Sequence, residues 1–220
     1  MLSKLLKYYS PYLPIAGMSL YVLVFTAAAL SYPGGSLNEP ASVGYSFFHN
    51  FLCDVMDPIT KGGAENNARS MALISHLILS FTMISFFFVL PEIFHQKNRN
   101  TQLIRVFGML TMTVFIFMYT PYHDQIVTAT GVLGTIALIP FFLELRQYEG
   151  KSLKQLAFTC YALSVVVFFI FETKYGFYYL PFLQKITFVF DAWWVIWVSL
   201  IVLQKNKKNT MTKLPALSAS

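Results

Sequence analysis

The sequence predicts an all-α integral membrane protein, a six-transmembrane-helix bundle with a structured outer loop between spans one and two. Two observations predict this class. Hydrophobic residues make up 56% of the 220 residues and charged residues only 12%, which is more apolar surface than one soluble domain of this size buries. A helix needs about 20 mainly apolar residues to cross the hydrocarbon core of a bilayer, and the chain contains six such runs.

The predicted spans follow one another closely, with one exception between the first and the second. They cover residues 12–31, 68–94, 102–119, 125–145, 153–171 and 180–203. Pro11 and Pro14 fall in the first turn of span one, where a missing backbone N–H is tolerated, and residues 32–35, Tyr-Pro-Gly-Gly, end that span. Residues 1–204 are therefore expected to form a single membrane domain, followed by a basic cytoplasmic tail of residues 205–220.

The basic residues predict the orientation of the bundle, because cytoplasmic loops carry an excess of Lys and Arg. Twelve of the 16 Lys and Arg residues fall on the side of the two termini, and four on the other side. We therefore expect both termini to be cytoplasmic, with the protein in the plasma (inner) membrane. The net charge of +6 follows these loops rather than a soluble basic face, so no nucleic-acid partner is predicted. Lys4 and Lys7 precede a first apolar run that is too long for a signal-peptide core, and we expect this run to remain as span one.

The connection between spans one and two is long enough, at about 35 residues, to favour a functional role. Its stretch Gly44 to Pro58, GYSFFHNFLCDVMDP, is too polar to span a membrane and too aromatic for a plain solvated loop. The apolar residues of the stretch are Phe47, Phe48, Phe51, Leu52, Val55 and Met56. Their gaps of one, three and four predict a short helix that packs on the bundle through one face. His49, Asn50 and Asp54 are then expected on the other faces of this helix.

Polar side chains within the spans are the strongest indication of a site, because a charge at the centre of a span costs about 2.5–3.5 kcal/mol on insertion scales. Asp191 falls near the middle of span six, and Gln184, seven residues earlier, shares its face. Lys185 points about a third of a turn away from that face, close enough to the membrane surface to reach water. The predicted binding residues are His49, His76, Asp124, Glu172, Gln184, Lys185 and Asp191.

Four polar residues are expected to share one outward-facing cavity, since buried polar groups are costly unless they share partners or water. They are Asp54, His76, His123 and Asp191. Asp54 and His123 are the candidate catalytic acid or base groups. A structural hydrogen bond between helices is the alternative role for Asp191. No paired histidine motif, phosphate loop or serine elbow occurs in the sequence, so enzymatic activity stays open.

A divalent metal is the alternative to an acid and base at the same end of the bundle, because the chain carries N and O ligands there. The candidate metal ligands are His49, Asp54, His76, His123 and Asp124. The spacing of these residues does not select between the two chemistries. No other cofactor is predicted. Seven-span membrane hydrolases hold zinc through histidines that include a pair on the last span, and span six here contains no histidine.

The order of elements resembles a known group of membrane proteins. The first span is followed by an aromatic-rich His-Asn-Phe-Leu-Cys-Asp element at 49–54, and a turn with proline and histidine opens span four. This pattern is similar to bacterial six-span proteins of unknown function, distantly similar to the DRAM-like, FRAG and SFK membrane proteins. Their first outer loop carries an Ile-Ser-Asp sequence, and Leu52-Cys53-Asp54 occupies that position here. The resemblance implies a six-helix membrane protein, with some relatives tied to lipid or GPI-anchor handling and autophagy.

The sequence as a whole predicts a polytopic membrane protein whose outward-facing polar pocket binds or modifies a lipid or a lipid-linked headgroup. Membrane lipids are then its partners. The alternative is a non-enzymatic structural or regulatory partner of another membrane protein, or a small-molecule transporter. Inverted repeats or broken helices would favour transport, and the sequence shows neither clearly. A homo-oligomer is compatible with each of these functions.

Overall fold

The computed structural model describes residues 8–211 and consists mainly of six long helices. They are α1 Tyr12–Leu30, α2 Arg69–Val89, α3 Arg99–Phe115, α4 His123–Gln147, α5 Lys151–Thr173 and α6 Leu180–Met211. All six are long and apolar enough to cross a membrane, and no β-strand forms in the described range. The predicted fold class is therefore confirmed, and the chain is a polytopic integral membrane protein. Lys4, Lys7 and Lys213, which contribute to the predicted orientation, lie outside the described residues.

The helix ends differ from the predicted ends mainly at the last helix. Short 3₁₀ helices at Leu90–Ile93 and Ile116–Tyr119 prolong α2 and α3. α6 continues past the predicted end at 203, so residues 205–211 of the predicted tail are helical. Lys205 on this extension donates a hydrogen bond to the Glu92 carbonyl at 2.8 Å. This contact fastens the last turns of α6 to the α2–α3 connection, which explains why the helix does not end where the apolar run ends.

The six helices form a ring that packs tightly at every step but one. α1 packs against α2 and α6, α2 against α3, α3 against α4, and α5 against α6. α4 and α5 are joined by three residues, 148–150, yet their backbones make few close approaches. They meet through large side chains, for example the Phe142 and Phe158 rings, which stack with centroids 5.1 Å apart. The side-chain contact between α4 and α5 is called the α4–α5 seam below.

Two glycines allow the closest approaches between neighbouring helices. A Cβ atom at Gly17 of α1 would lie 2.1 Å from Thr82 Oγ1 of α2. A Cβ atom at Gly108 of α3 would lie 2.1 Å from Phe87 Cδ1 of α2. Both distances are too short for non-bonded atoms, so any larger residue at either position forces its neighbour to move. Small residues at such contacts are typical of membrane helix pairs, which lack a hydrophobic driving force between them.

Packing is unequal between the two ends of the bundle. The loop end is the end that carries residues 31–68, and the tail end is the end at which α6 finishes. The largest fully buried apolar side chains of the helices include Phe86, Val89, Ile104, Leu145, Val195, Val198 and Val202. These residues fall in the tail-end halves of α2, α3, α4 and α6. The largest buried apolar side chains are therefore concentrated towards the tail end.

The long connection is irregular, and the helix predicted for residues 44–58 is wrong. Only Asp54–Met56 form a short 3₁₀ helix. Phe47 and Phe48, expected on the packed face, are 50% and 59% exposed, whereas Asn50 is completely buried and Asp54 is 3% exposed. The physical reason is the backbone. Irregular segments leave N–H and C=O groups without helical partners, and short polar side chains satisfy them only from inside the fold.

Candidate functional site

A cavity of about 940 Å³ lies inside the ring of helices and extends to the loop end. Each helix contributes residues to its wall. On α4 these include Val127, Gly131, Gly134, Thr135, Leu138 and Phe142. Their spacing of one, three and four residues defines a single helix face. On α6 the lining runs from Leu180 to Val195, a length of about 22 Å at 1.5 Å per residue. The cavity thus reaches from the loop end past the middle of the membrane helices.

Most of the predicted site residues line this one cavity. The lining includes Asp54, His76, His123, Asp124, Gln184 and Asp191. His49, Glu172 and Lys185 do not belong to it. Apart from the neighbours His123 and Asp124, the described structure contains no hydrogen bond between any two of the six. They stand on separate walls, each with its own partners, and the cavity rather than direct contact is what they share.

Asn50 and Asp54 organise the long connection from within. Asp54 Oδ2 accepts hydrogen bonds from Asn50 Nδ2 and from the Phe51 backbone N–H, both at 2.9 Å. Asn50 Nδ2 also donates to the Gly35 carbonyl, and Asn50 Oδ1 accepts from the Ser46 N–H, both at 2.8 Å. Burial raises the pKa of Asp54 above its ordinary value, although these two donors oppose the shift. An amide, with donor and acceptor on one short side chain, suits this central position better than a carboxylate would.

Lys185 fastens this connection to α6. Its ammonium group donates to the Asn50 carbonyl and, at 3.0 Å, to the Pro181 carbonyl. The rings of Tyr45 and Phe47 lie with centroids 5.4 Å from Nζ, within cation–π distance. Lys185 is only 5% exposed. The expectation that it reaches water is therefore wrong, because the folded connection covers its ammonium group. The Asn50 and Pro181 carbonyl oxygens accept the hydrogen bonds that water would otherwise accept.

Gln184 makes a second link between α6 and the connection. Its Oε1 accepts a hydrogen bond from the Leu52 N–H at 3.0 Å. Gln184 and Asp191 both line the cavity, as their seven-residue spacing predicts, while Lys185 points away from it. The stretch around residue 50 is thus packed on the bundle through backbone and polar contacts, and Val55 and Met56 of the predicted apolar face are buried against Ala28 and Ala72.

His76 forms hydrogen bonds with the end of the neighbouring helix, α3. It is 5% exposed, and its Nε2 lies 3.0 Å from the Phe115 carbonyl oxygen and 3.2 Å from that of Ile116. Carbonyl oxygens only accept, so Nε2 carries the hydrogen and donates to both. These carbonyls stand where α3 passes into the 3₁₀ helix Ile116–Tyr119 and loses its regular hydrogen bonds. His76 therefore forms part of the cavity wall and stabilises the end of α3.

Two further polar contacts lie at the loop-end termini of α4 and α5. His123 Nδ1 is 2.9 Å from Asp124 Oδ1, which orients the imidazole at the mouth of the cavity. Thr128 Oγ1 donates to Glu172 Oε1 at 2.8 Å. This second bond joins α4 to α5 across the seam, so Glu172 acts as a link between helices and stands outside the cavity.

The five predicted metal ligands do not assemble into one centre. Within residues 8–211, no group of three or more His, Cys, Asp or Glu side chains is placed to hold a metal ion. His49 Nδ1 instead pairs with Glu39 Oε2 at 2.9 Å on the outside of the connection. The proposed set was His49, Asp54, His76, His123 and Asp124. The structure distributes them over three separate surroundings, the connection, the end of α3 and the start of α4.

Asp191 is the deepest ionisable group of the cavity. It follows Leu180, the first residue of α6, by eleven residues, which places it about 16 Å along the helix axis from the loop end. Cys160 on α5 is the polar side chain that interacts with its carboxylate. A thiol is a weak donor. Asp191 is half-buried, because one side of its carboxylate faces the cavity.

Sequence reasoning missed one buried acid. Glu144 on α4 is 5% exposed, and its Oε1 accepts from Asn98 Nδ2 at 2.7 Å and from Asn100 Nδ2 at 2.8 Å. This contact locks the start of α3 to the end of α4 at the tail end. An acid inside the apolar run of span four was the available signal. Cys53, beside Asp54, is half-buried, and loss of solvent around it raises the pKa of its thiol to about 12, which makes it a poor nucleophile.

No protein-family model matches the chain, and neither a curated protein nor a solved structure shows a significant match. The class of the protein therefore follows from its own structure, which is that of a polytopic α-helical membrane protein with a central cavity.

Proposed function

We propose that the protein binds a lipid or a lipid-linked headgroup, with the headgroup inside the cavity and the chains in the bilayer. The observation that carries this proposal is the distribution of polarity along the cavity. Charged residues line it at the loop end, including Lys61, His123, Asp124 and Lys174, and Asp191 stands deeper. The walls between them are largely apolar. A volume of about 940 Å³ lies within the 300–1,000 Å³ typical of small-ligand sites.

The α4–α5 seam supports a lipid rather than a water-soluble ligand. Facing residues of α4 and α5 line the cavity on both sides of the seam, and the two backbones make few close approaches. Side chains alone close this wall. A Cβ atom at Gly131 would lie 2.7 Å from the ring of Phe168, which shows how directly that ring rests on α4. Rotation of such rings would let an acyl chain leave the cavity sideways into the bilayer.

Orientation and chemistry complete the proposal. The excess of basic residues on the side of the termini supports cytoplasmic termini, with the loop end and the headgroup site facing outward. His123, oriented by Asp124 at 2.9 Å, is the candidate acid or base at the mouth if the headgroup is also modified. Membership of the DRAM-like, FRAG and SFK group remains a prediction that rests on short motifs such as Leu52-Cys53-Asp54.

The test is to block the cavity from one wall and to measure bound lipid. Gly134 lines the cavity, and a Cβ atom there would make only an ordinary contact, at 3.8 Å with the Thr111 methyl group, so Gly134→Phe adds a ring to the cavity wall. Val132→Phe is the matched control, because Val132 is 57% exposed on the outer face of α4. Native mass spectrometry of detergent-purified protein should show lipid on the unmodified chain and on Val132→Phe, and little on Gly134→Phe.

Two results would overturn the proposal. One is an unmodified chain that retains no lipid under conditions that preserve its fold. The other is equal lipid retention by Gly134→Phe and by the unmodified chain, which would place the bound lipid on the outer surface of the bundle. The first result would favour the alternative class, a structural or regulatory partner of another membrane protein.

A further inference from the structure

The carboxylates that line the cavity differ in how they are neutralised. They are Asp54, Asp57, Asp124 and Asp191. Asp54 accepts two N–H donors, Asp57 accepts from the Lys61 ammonium at 2.8 Å, and Asp124 is paired with His123. In the described part of the chain, Asp191 alone among them receives no hydrogen bond from nitrogen, and Cys160 is its polar neighbour.

The cationic lysines of the cavity are far from Asp191. Lys61 belongs to the long connection and is engaged by Asp57. Lys174 follows the last residue of α5 at the loop end, where its Nζ lies 4.1 Å from the centroid of the Phe171 ring and 4.9 Å from that of Phe177. Asp191 is about 16 Å deeper along α6. A buried carboxylate requires a partner of opposite charge or a proton, and among the described lysines and arginines that line the cavity, none is placed to be that partner.

Several hydroxyl groups of the cavity wall donate their hydrogens to carbonyls of their own helices. Five such residues donate to a backbone carbonyl three or four residues earlier, at 2.7–2.9 Å. They are Ser75, Thr111, Thr130, Thr135 and Thr187. A hydroxyl oxygen that has donated its hydrogen still has acceptor capacity. Together with the carboxylate of Asp191, these five oxygens offer acceptors to a ligand in the cavity.

Aromatic rings flank Asp191 on its own helix. Phe188 and Trp194 come three residues before and three residues after it, which places them on the same face of α6, and both line the cavity. The Trp194 ring also meets the Phe141 ring of α4 edge-on, with centroids 5.8 Å apart. Aromatic faces beside a carboxylate are the surroundings that suit a cationic nitrogen, because they attract the charge without requiring a second hydrogen bond.

We infer that the ligand carries a cationic nitrogen, a protonated amine or a quaternary ammonium group, which reaches down the cavity to Asp191. This inference rests on the proposed function, since it names the chemistry of the headgroup that the cavity takes. The carboxylate supplies the opposite charge, the wall hydroxyls accept hydrogen bonds where the nitrogen bears hydrogens, and Phe188 and Trp194 enclose the cation. An anionic headgroup would instead meet an unneutralised carboxylate in apolar surroundings.

The experiment compares two probes that share a chain and differ in the polar end group. Dodecylamine and dodecanol are titrated into the purified full chain in nanodiscs of zwitterionic lipid, and affinity is obtained from the shift in melting temperature. We expect the amine to bind at least about tenfold more tightly, which is the lower range for a hydrogen bond to a charged group. Asp191→Asn should remove this preference and leave the affinity for dodecanol unchanged.

The control variant also neutralises one acidic side chain, but at a position outside the cavity. Glu65→Gln alters an exposed acid of the long connection that does not line the cavity, and it should retain the full preference for the amine. Equal affinity of both probes for the unmodified chain would overturn the inference while the proposed function stands. A preference that survives in Asp191→Asn would overturn it as well. Failure of both probes to bind would overturn the inference and the proposed function together. The comparison on the unmodified chain decides the question even if Asp191→Asn does not fold.

Discussion

The ammonium group of Lys185 donates a hydrogen bond to the backbone carbonyl of Asn50, and this contact joins the last membrane helix to the connection between the first two. The two residues are 135 positions apart in the chain. Because Asn50 also holds Asp54 and Gly35, one lysine on α6 supports the conformation of the whole connection over the cavity.

Replacing Lys185 by methionine should loosen this connection. Lys185→Met keeps an unbranched side chain of similar length and removes the ammonium group, so the buried Asn50 carbonyl loses its donor. A hydrogen bond to a charged group contributes about 1.5–3 kcal/mol to stability, and we expect a loss of that size. The melting temperature and the rate of protease cleavage in the exposed stretch around Phe47 and Phe48 report the change.

Lys61→Met is the matched control for this prediction. The Lys61–Asp57 pair is 2.8 Å long, but its two side chains are 40% and 43% exposed. Exposed ion pairs contribute about 0–1 kcal/mol, so Lys61→Met should leave both measurements nearly unchanged. If Lys185→Met behaves like Lys61→Met, the connection does not depend on the lysine.

The contrast between Lys185 and the membrane spans shows what the sequence determines. The spans were predictable because length and hydrophobicity are local properties, and the lipid environment leaves the helix as the available way to pair the backbone. The surroundings of Lys185 were not predictable, because its partner is a carbonyl that any residue could supply. The same holds for His76, whose partners are the Phe115 and Ile116 carbonyls. The sequence shows which positions carry polar side chains, whereas the backbone groups that those side chains bind are known only from the structure.

The cavity illustrates a middle case. The helix faces of Gln184 and Asp191 follow from their spacing, and four expected residues, Asp54, His76, His123 and Asp191, do line one cavity. Their roles did not follow. The 44–58 stretch was expected to pack through the apolar face of a short helix, since an amphipathic pattern favours a helix. Its buried Asn50 and Asp54 instead form hydrogen bonds with N–H and C=O groups of irregular backbone. The spacing of apolar residues does not predict which backbone groups will need such partners.

The close contact between α1 and α2 gives a second prediction, on helix packing. Gly17→Ala should destabilise the protein by about 1–3 kcal/mol, the usual cost of overpacking, because the new methyl group would lie 2.1 Å from Thr82 Oγ1 and 3.1 Å from Thr82 Cβ. Gly134→Ala is the matched change on α4. Its methyl group has ordinary contact at 3.8 Å, and it should stabilise the helix by up to about 1 kcal/mol, the difference in helix propensity.

Thermal unfolding in detergent measures both changes, and a double variant identifies the cause. Thr82→Ala removes Oγ1, the atom nearest to the new methyl group on α1, together with Cγ2, and keeps Cβ, so Gly17→Ala should cost less in that background. An equal cost with and without Thr82→Ala would show that the destabilisation arises elsewhere. A destabilised Gly134→Ala would show that α4 tolerates no side chain at that position of the cavity wall.

The last prediction concerns the side of the membrane on which each end of the bundle lies. The loop end is proposed to face outward, because twelve of the 16 basic residues fall on the side of the termini. Lys61 of the long connection and Lys97 of the α2–α3 connection are suitable positions for labelling, with side chains 40% and 64% exposed. In intact cells, Lys61→Cys should react with a membrane-impermeant maleimide. Lys97→Cys should react only after the membrane is permeabilised.

The two native cysteines favour this experiment. The half-buried Cys53 thiol has its pKa raised to about 12, so little reactive thiolate is present at neutral pH, and Cys160 is buried inside the bundle. The unmodified chain therefore provides a low background for both variants. Labelling of Lys97→Cys in intact cells, together with protection of Lys61→Cys, would invert the topology. The headgroup site and Asp191 would then open to the cytoplasm, and the proposed ligand would have to come from the inner leaflet.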